Sequence, residues 1–326
     1  MTRFALSLAL ALGLAASSGA RAQAAGDNYP VRPVKLIVGY VPGGSPDTVA
    51  RIVSQRLGQI LGQPVVVENR AGAGGTLATA QVAKAPADGY TLLLGETGQL
   101  VIAPWITKNL SYDVIRDFTP VGMVGTTPLV LVANAKTGIR TLQDLVREAR
   151  AKPGTLNYGS SGNGTIHHIA GEVFKADIGI DLMHVPYKGS GQSVPAVISG
   201  DVPVLMTSLT VVLPFVQAGT VNLLGVTSAA RYGDLPNVPA IGEVVKDYDY
   251  SSEMGILAPA GTPAPVINKL SQALREALNS AEVQKQFKLG SIVPLYTTPP
   301  GYTDNLRRNL RKYEQAVKIA KPEPTN

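Results

Sequence analysis

The chain has no cysteine, so no disulfide clips its loops, no thiolate offers itself to a soft metal, and stability must come from an apolar core alone. It has three histidines and no clustered carboxylates, which leaves few ligand sets for a metal. No metal or other cofactor is expected. Past the first residues, no stretch reaches the roughly 18 uninterrupted apolar residues that a membrane helix needs. The nearest, residues 205–226, is broken by Thr207, Ser208, Thr210, Pro214, Gln217, Gly219 and Asn222 and reads as buried core. A Walker A motif is absent, and so is a G-x-S-x-G elbow, since Ser161 lies in Gly-Ser-Ser-Gly. The charge excess is mild, +6 overall. It is dispersed except at Arg307, Arg308, Arg311 and Lys312, whose helical spacing reads as a solvated face, so nucleic acid is not an expected partner.

What is present begins with a leader. Met1-Thr2-Arg3 precedes an apolar run over residues 4–16, then small residues ending in Ala20-Arg21-Ala22 and Ala22-Gln23-Ala24. This reads as a secretory signal peptide over residues 1–24, cut near Ala22 or Ala24. Losing Arg3 and Arg21 with it lowers the net charge from +6 to +4. About 300 residues remain, enough to bury a sizeable core and favouring two domains over one.

From residue 34 to 132 short apolar runs alternate with helical stretches: residues 34–38, 47–61, 65–67, 76–83 and 91–94. That alternation predicts βα units and a mainly parallel sheet. In the first helix Val49, Ile52, Val53, Leu57, Ile60 and Leu61 share one face, which should bury. A second series follows Phe118-Thr119-Pro120, with strands at residues 129–132, 156–158, 183–187 and 202–206 and helices at residues 141–151, 166–175 and 193–199. A strand at residues 255–259 then returns the chain, a patterned helix occupies residues 263–279, and a last helix runs over residues 302–320. The fold class expected is α/β with two lobes, the C-terminal helices packing back on the first, and the tail from Lys321 frayed. The first lobe would comprise residues 29–125 and 251–320, the second residues 126–250.

Three Gly/Ser/Thr clusters each follow a strand, where binding loops sit. They are Gly43-Gly44-Ser45, Gly95-Glu96-Thr97-Gly98 and Gly159-Ser160-Ser161-Gly162-Asn163-Gly164-Thr165. In the first, glycines permit a sharp turn, and Ser45 or Asp47 can cap a helix that Pro46 starts. The free amides at such a helix end stabilise a carboxylate or phosphate without Arg or Lys. In the third, Thr165 or Asn163 can cap the next helix. Each cluster alone also reads as an ordinary connection in an α/β protein.

Other chemistries score lower on their residues. Gly72-Ala73-Gly74-Gly75-Thr76-Leu77 mimics part of a dinucleotide fingerprint, but Leu77 occupies the last glycine position. A secreted hydrolase would use Ser161 with His168, or Ser160, His167 or His184 in their places, and a carboxylate such as Asp181. Adjacent His167 and His168 point in different directions at a helix start, so at most one faces a cleft.

The chain resembles the periplasmic solute-binding receptors of tripartite tricarboxylate transporters, the Bug receptors. The resemblance rests on Tyr29-Pro30-x-Arg32-Pro33, Tyr40-Val41-Pro42-Gly43-Gly44-Ser45-Pro46-Asp47 with Ala50-Arg51, Val67-Glu68-Asn69-Arg70, Pro86-Ala87-Asp88-Gly89-Tyr90-Thr91-Leu92-Leu93, Tyr158 through Thr165 with His168, His184-Val185-Pro186-Tyr187-Lys188-Gly189, and Ala258-Pro259-Ala260-Gly261-Thr262-Pro263. It implies a Venus-flytrap receptor in the periplasm, without catalytic activity, that closes on a small carboxylate and delivers it to membrane transporter subunits. A monomer is expected. Carried over position by position, Tyr40 flanks the ligand, Gly43, Gly44, Ser45 and Asp47 build the first-lobe loop, and Thr97 and Gly98 line the same wall. From the second lobe Ser161, Asn163, Gly164, Thr165 and His168 close over it, with Thr207 nearby. Many members carry an Asp in the helix after Tyr187-Lys188-Gly189 that meets a ligand amino group. Here the equivalent is Ala196, which favours carboxylates without an amino group, either di- or tricarboxylates or aromatic acids.

Overall fold

In the computed structural model, residues 28–324 are described; the predicted leader lies outside them. Strand β1 (Val34–Val38) feeds helix α1 (Ser45–Leu61), followed by β2 (Val65–Asn69), α2 (Thr76–Ala83), β3 (Thr91–Glu96) and the short α3 (Ala103–Ile106). A long strand β4 (Phe118–Asn134) leads to α4 (Leu142–Ala151), β5 (Asn157–Ser160), α5 (Ile166–Ile178), β6 (Met183–Pro186), α6 (Ser190–Ser199), β7 (Val204–Ser208), α7 (Leu209–Gln217) and β8 (Val221–Val226). The chain returns through β9 (Ser251–Pro259), α8 (Ala264–Asn279), α9 (Ala281–Leu289), β10 (Val293–Pro294) and α10 (Pro299–Ala320).

The strands join in the order β2-β1-β3-β9-β4-β7-β5-β6, with β8 and β10 also paired to β4. Parallel pairings fall where βα units predict them, β1 with β2 and β3, and β5 with β6 and β7. The connecting strands β4, β8, β9 and β10 pair antiparallel, so the sheet is mixed. Strand β4 joins the lobes: its first part pairs with β9 and β10, its second with β7 and β8. Only its last third reads as strand in the sequence, because Pro120, Gly122, Gly125 and Pro128 interrupt the apolar pattern. Register shifts beside Gly122 and Gly125 absorb the interruptions.

Side-chain alternation assigns each strand residue to a core. Val34, Leu36 and Val38 of β1 face α1 and α8, packing with Val53, Leu57 and Leu270, whereas Ile37 faces the opposite side with Val82 and Leu93. In β4 Val130 and Val132 join a core under α6 and α7, while Leu129 and Leu131 face the side of Tyr158, Phe174 and Tyr313. That latter core runs continuously beneath both lobes. Helix α10 supplies Tyr302 and Leu306 to it near Met123, then Tyr313, Ala316 and Ala320 beside α5. The final helix therefore straddles both lobes instead of packing on the first alone; its aromatic residues match a core shared by both. Residues 321–324 continue past the second-lobe loop, where Asn163 Nδ2 donates to Glu323 O at 2.8 Å.

Among the described residues no helix is long and apolar enough to cross a membrane.

Candidate functional site

At the end of β1 the chain turns at Gly43 (φ +85°) and enters α1 through Gly44, which is extended at φ −81°, ψ 169°. Neither Ser45 nor Asp47 caps the helix in the manner predicted: no side chain at the N-cap accepts from the first turn. Asp47, 4 % exposed, instead ties the loop together from behind. It accepts from Gly43 N at 3.0 Å, Arg51 Nε at 3.0 Å and Asn69 Nδ2 at 2.9 Å, and Asn69 also donates to Tyr40 O. Burial opposes its ionisation, but the bonds from Arg51, Gly43 and Asn69 outweigh burial and hold the carboxyl below its ordinary range. Ser45 Oγ is buried in the wall of a cleft with no hydrogen-bond partner. The first-turn amides beside it have no partner inside the helix.

The end of β3 forms the neighbouring wall. Glu96, 5 % exposed, accepts from Tyr40 Oη at 2.7 Å and Gly98 N at 2.9 Å on one oxygen, and from Ser252 Oγ at 2.7 Å on the other. Burial raises its pKa despite these three donors. Thr97 does not reach the cleft: its Oγ1 accepts from Glu253 N at 2.9 Å and so fastens β3 to β9.

Across the cleft, residues 160–165 join β5 to α5. Thr165 is the N-cap, its Oγ1 accepting from His168 N and donating to Gly162 O. Ser161 Oγ lies 3.2 Å from Ser190 Oγ. Gly164 has φ +71°, and a methyl group there would overlap Ile106 Cδ1 from the first lobe. The two adjacent histidines diverge. His168 turns inward, accepting from Gly164 N on Nδ1 at 3.1 Å and stacking on His184 with centroids 3.9 Å apart. It is His167 that borders the cleft, 8 % exposed, with Nε2 3.1 Å from Ser208 Oγ and Nδ1 unpartnered. Burial lowers its pKa to about 4 and leaves the ring neutral near pH 7.

These walls enclose about 570 Å³. Of the residues predicted to bind ligand, Tyr40, Gly44, Ser45, Gly98, Ser161, Asn163, Gly164 and Thr165 line this space. Gly43, Asp47, Thr97, His168 and Thr207 do not, although Gly43, Asp47 and His168 hold the lining loops in place; Thr207 Oγ1 is buried without a partner behind the wall. The sequence reading placed Glu96 only within a loop cluster and His167 only in a rival hydrolase, and it missed Ser208 and Ser252; residues 72–76, weighed as part of a dinucleotide fingerprint and set aside, form part of the same wall. Ala196, weighed as the counterpart of an amino-group acid, packs in the core under α6. Lys188 is the sole Lys or Arg among the lining residues.

No hydrogen bond joins Ser161 to His168 among the described residues. The Ser160 Oγ to His184 Nε2 contact, at 2.7 Å, involves a fully buried serine outside the cleft. No group of three metal-ligating side chains occurs among the described residues.

Comparison with known proteins agrees with this geometry. The model of the tripartite tricarboxylate transporter family receptor matches residues 49–318. Protein BugT of Bordetella pertussis is 36% identical over 286 residues, covering 87% of this chain and 88% of that protein. The structure of R. palustris Rpa4515 with adipate superposes with a TM-score of 0.86 at 31% identity, covering 91% of this chain and 99% of the other. MatC from Rhodopseudomonas palustris with bound malate gives 0.82 at 28% identity, covering 89% and 100%. A match over most of the chain, in sequence and in fold, supports one conclusion: this chain belongs to the family of tripartite tricarboxylate transporter receptors, periplasmic solute-binding proteins of the Bug type.

Proposed function

We propose that the protein captures a small organic carboxylate in this cleft and delivers it to the membrane subunits of a tripartite transporter, binding without turning it over. The observation that carries the reading is the N-terminus of α1: it opens on the cleft with no side-chain cap, beside a buried Ser45 hydroxyl that has no partner. Such an end holds an anion through backbone amides and the helix dipole. With a single lysine in the lining, little of the binding falls to basic side chains. The relatives holding adipate and malate show that the fold accommodates small carboxylates.

The first lobe is proposed to comprise residues 29–125 and 251–320, the second residues 126–250, with α10 bridging them. Supporting this division, the chain crosses between lobes at two adjacent places, where Pro128 pairs with Ser251 and Tyr250 N donates to Thr227 O. A ligand touching Tyr40, Gly44, Ser45 and Gly98 from one side and Ser161, Asn163, Gly164 and Thr165 from the other favours the closed state, because only that state offers both sets of contacts. Mass spectrometry of the ligand released from gently purified protein tests the reading. An organic acid in stoichiometric amount is expected; a neutral or cationic compound would contradict it.

A further inference from the structure

A cleft read as holding a carboxylate carries a carboxyl of its own. Among the described residues Glu96 is the only acidic side chain in the lining, and it is bonded to Tyr40 and Gly98, two of the proposed ligand contacts. Two like charges in one buried site disfavour each other, unless a cation lies between them or a proton sits on one. No cation is bonded to Glu96. Its partners are the Tyr40 hydroxyl, the Gly98 amide and the Ser252 hydroxyl, all neutral. Glu253, next along β9, accepts from Asn309 Nδ2 at 2.7 Å. The other titratable side chains that sense this pair among the described residues are Tyr112, Tyr302 and Tyr313, whose phenols burial keeps neutral. Lys188 lies across the cleft, after β6.

The bonding around Glu96 suits both protonation states. Ionised, it accepts from all three donors. Protonated on Oε1, it donates to Ser252 Oγ, because a hydroxyl is both donor and acceptor, while Oε2 keeps the bonds from Tyr40 and Gly98. The 2.7 Å separation from Ser252 serves either direction. Reversal frees the Ser252 hydrogen, and Ser252 itself borders the cleft. One proton therefore removes a negative charge from the wall and releases a donor for an incoming anion. Burial already raises the Glu96 pKa, and a ligand carboxylate nearby raises it further.

We infer that Glu96 is a proton-binding residue of this site, so that the ligand carboxylate enters the cleft together with a proton. The inference rests on the carboxylate reading above and adds proton uptake to it. Affinity is then highest at low pH, where Glu96 is protonated beforehand, and falls as pH rises from the pKa of the free protein to the higher one of the complex. Two other groups near the anion site hold one charge state above pH 5.5: the Asp47 carboxyl lies below its ordinary range, and His167 titrates at about 4.

Titration calorimetry with succinate, adipate and benzoate, at pH 5.5, 7 and 8.5 and in two buffers of different ionisation enthalpy, counts the protons. The wild-type protein is expected to take up between about a third of a proton and one proton per acid at one or more of these pH values, with Kd rising about threefold or more from pH 5.5 to 8.5. E96Q keeps an acceptor for Tyr40 and Gly98 and donates to Ser252, as a protonated glutamate does. Its uptake should vanish, and it should bind about threefold or more tightly than the wild type at pH 8.5. The acid's own proton enters both proteins alike, so the difference belongs to Glu96. Melting of ligand-free E96Q confirms that it folds, and at pH 7 and 8.5, where these acids are ionised, the wild-type count needs no variant. Acids that bind with no proton taken up at any of these pH values would overturn the inference while leaving the carboxylate site intact. So would a folded E96Q that binds no acid, which would mark Glu96 as an ionised acceptor for a donor on the ligand. Binding of none of the acids would remove the carboxylate reading, and this inference with it.

Discussion

The Tyr40 hydroxyl donates to Glu96 Oε2 at 2.7 Å, joining the loop after β1 to the end of β3 in the cleft wall. Burial pushes the tyrosine pKa well above its ordinary value, with the neighbouring Glu96 carboxylate adding to the rise. The pair is therefore a neutral phenol serving a buried carboxyl. Removing the donor leaves a buried acceptor unsatisfied, which costs about 1–3 kcal/mol. Tyr40→Phe should lower unfolding stability by about that amount. Urea denaturation at pH 7 checks this, and an unchanged midpoint would count against it.

Ser45 behaves in the opposite way. Its hydroxyl has no hydrogen-bond partner within the protein, so Ser45→Ala should leave stability level or slightly raised, while the hydrogen bond lost to ligand weakens affinity about three- to tenfold. Calorimetry and melting on the same samples separate the two effects. Loss of stability together with full affinity would show that the hydroxyl serves the fold.

The neighbouring glycines divide the work differently from what their sequence suggests. Glycine is demanded at Gly43, whose φ is +85°, while Gly44 is extended and the nearest atom to an added Cβ is 3.7 Å away. A β-branched residue at Gly44 therefore leaves the turn undistorted, and any cost there comes from filling ligand space. Gly43→Val should destabilise the free protein by about 1–2 kcal/mol through left-handed strain, with Gly44→Val far milder. Paired denaturation curves decide, and equal losses would refute the distinction.

Gly164 and Ile106 both line the cleft, with no room for a methyl group between them. Gly164→Ala carries left-handed strain of about 1–2 kcal/mol and collides with Ile106, which should prop the lobes apart and weaken binding beyond what strain explains. Adding Ile106→Ala should restore part of the affinity but none of the stability. A double-mutant cycle with no coupling in affinity would show that the lobes do not close on this contact.

Much of the architecture was legible because it depends on neighbours in sequence. Helix α1 and helix α8 follow from apolar spacing, and Thr141 with Asp144 forms the capping box that opens α4. The helix end at residues 44–47, proposed to hold the carboxylate, was readable for the same reason. Glu96 was not, because its donors Tyr40 and Ser252 lie 56 and 156 residues away in the chain. The choice between His167 and His168 likewise turns on Ser208 and His184, which only folding brings near. Strand β4 was shortened by its own prolines and glycines, which read as breakers until a partner strand is present to absorb them.

Acid should destabilise the protein earlier than carboxylate protonation alone would. Burial lowers His167 and His168 to about 4 from an ordinary value of 6.5. Between these values the unfolded chain binds more protons than the folded one, so stability is complete above about pH 7 and falls as pH drops from 6.5 towards 4. At pH 5 each histidine accounts for about 2 kcal/mol by linkage. Glu96 works against this, since its raised pKa means that the folded state binds the extra proton above the ordinary glutamate range. His184, which burial lowers to about 3, acts in the same direction as the other two, so three histidines set against Glu96 fix the sign. Urea midpoints should fall between pH 7.5 and 5; a flat profile would contradict the burial of neutral rings.

The central claim is that a carboxylate group is what the cleft recognises. Thermal melting with small organic acids, each paired with its own primary amide, tests it most directly. At a hundredfold excess over Kd, a bound acid should stabilise the folded state by about 2.7 kcal/mol and raise Tm by several degrees, while the matching amide leaves Tm unmoved. Equal shifts from acid and amide, or no shift from any acid in a broad set, would contradict the account.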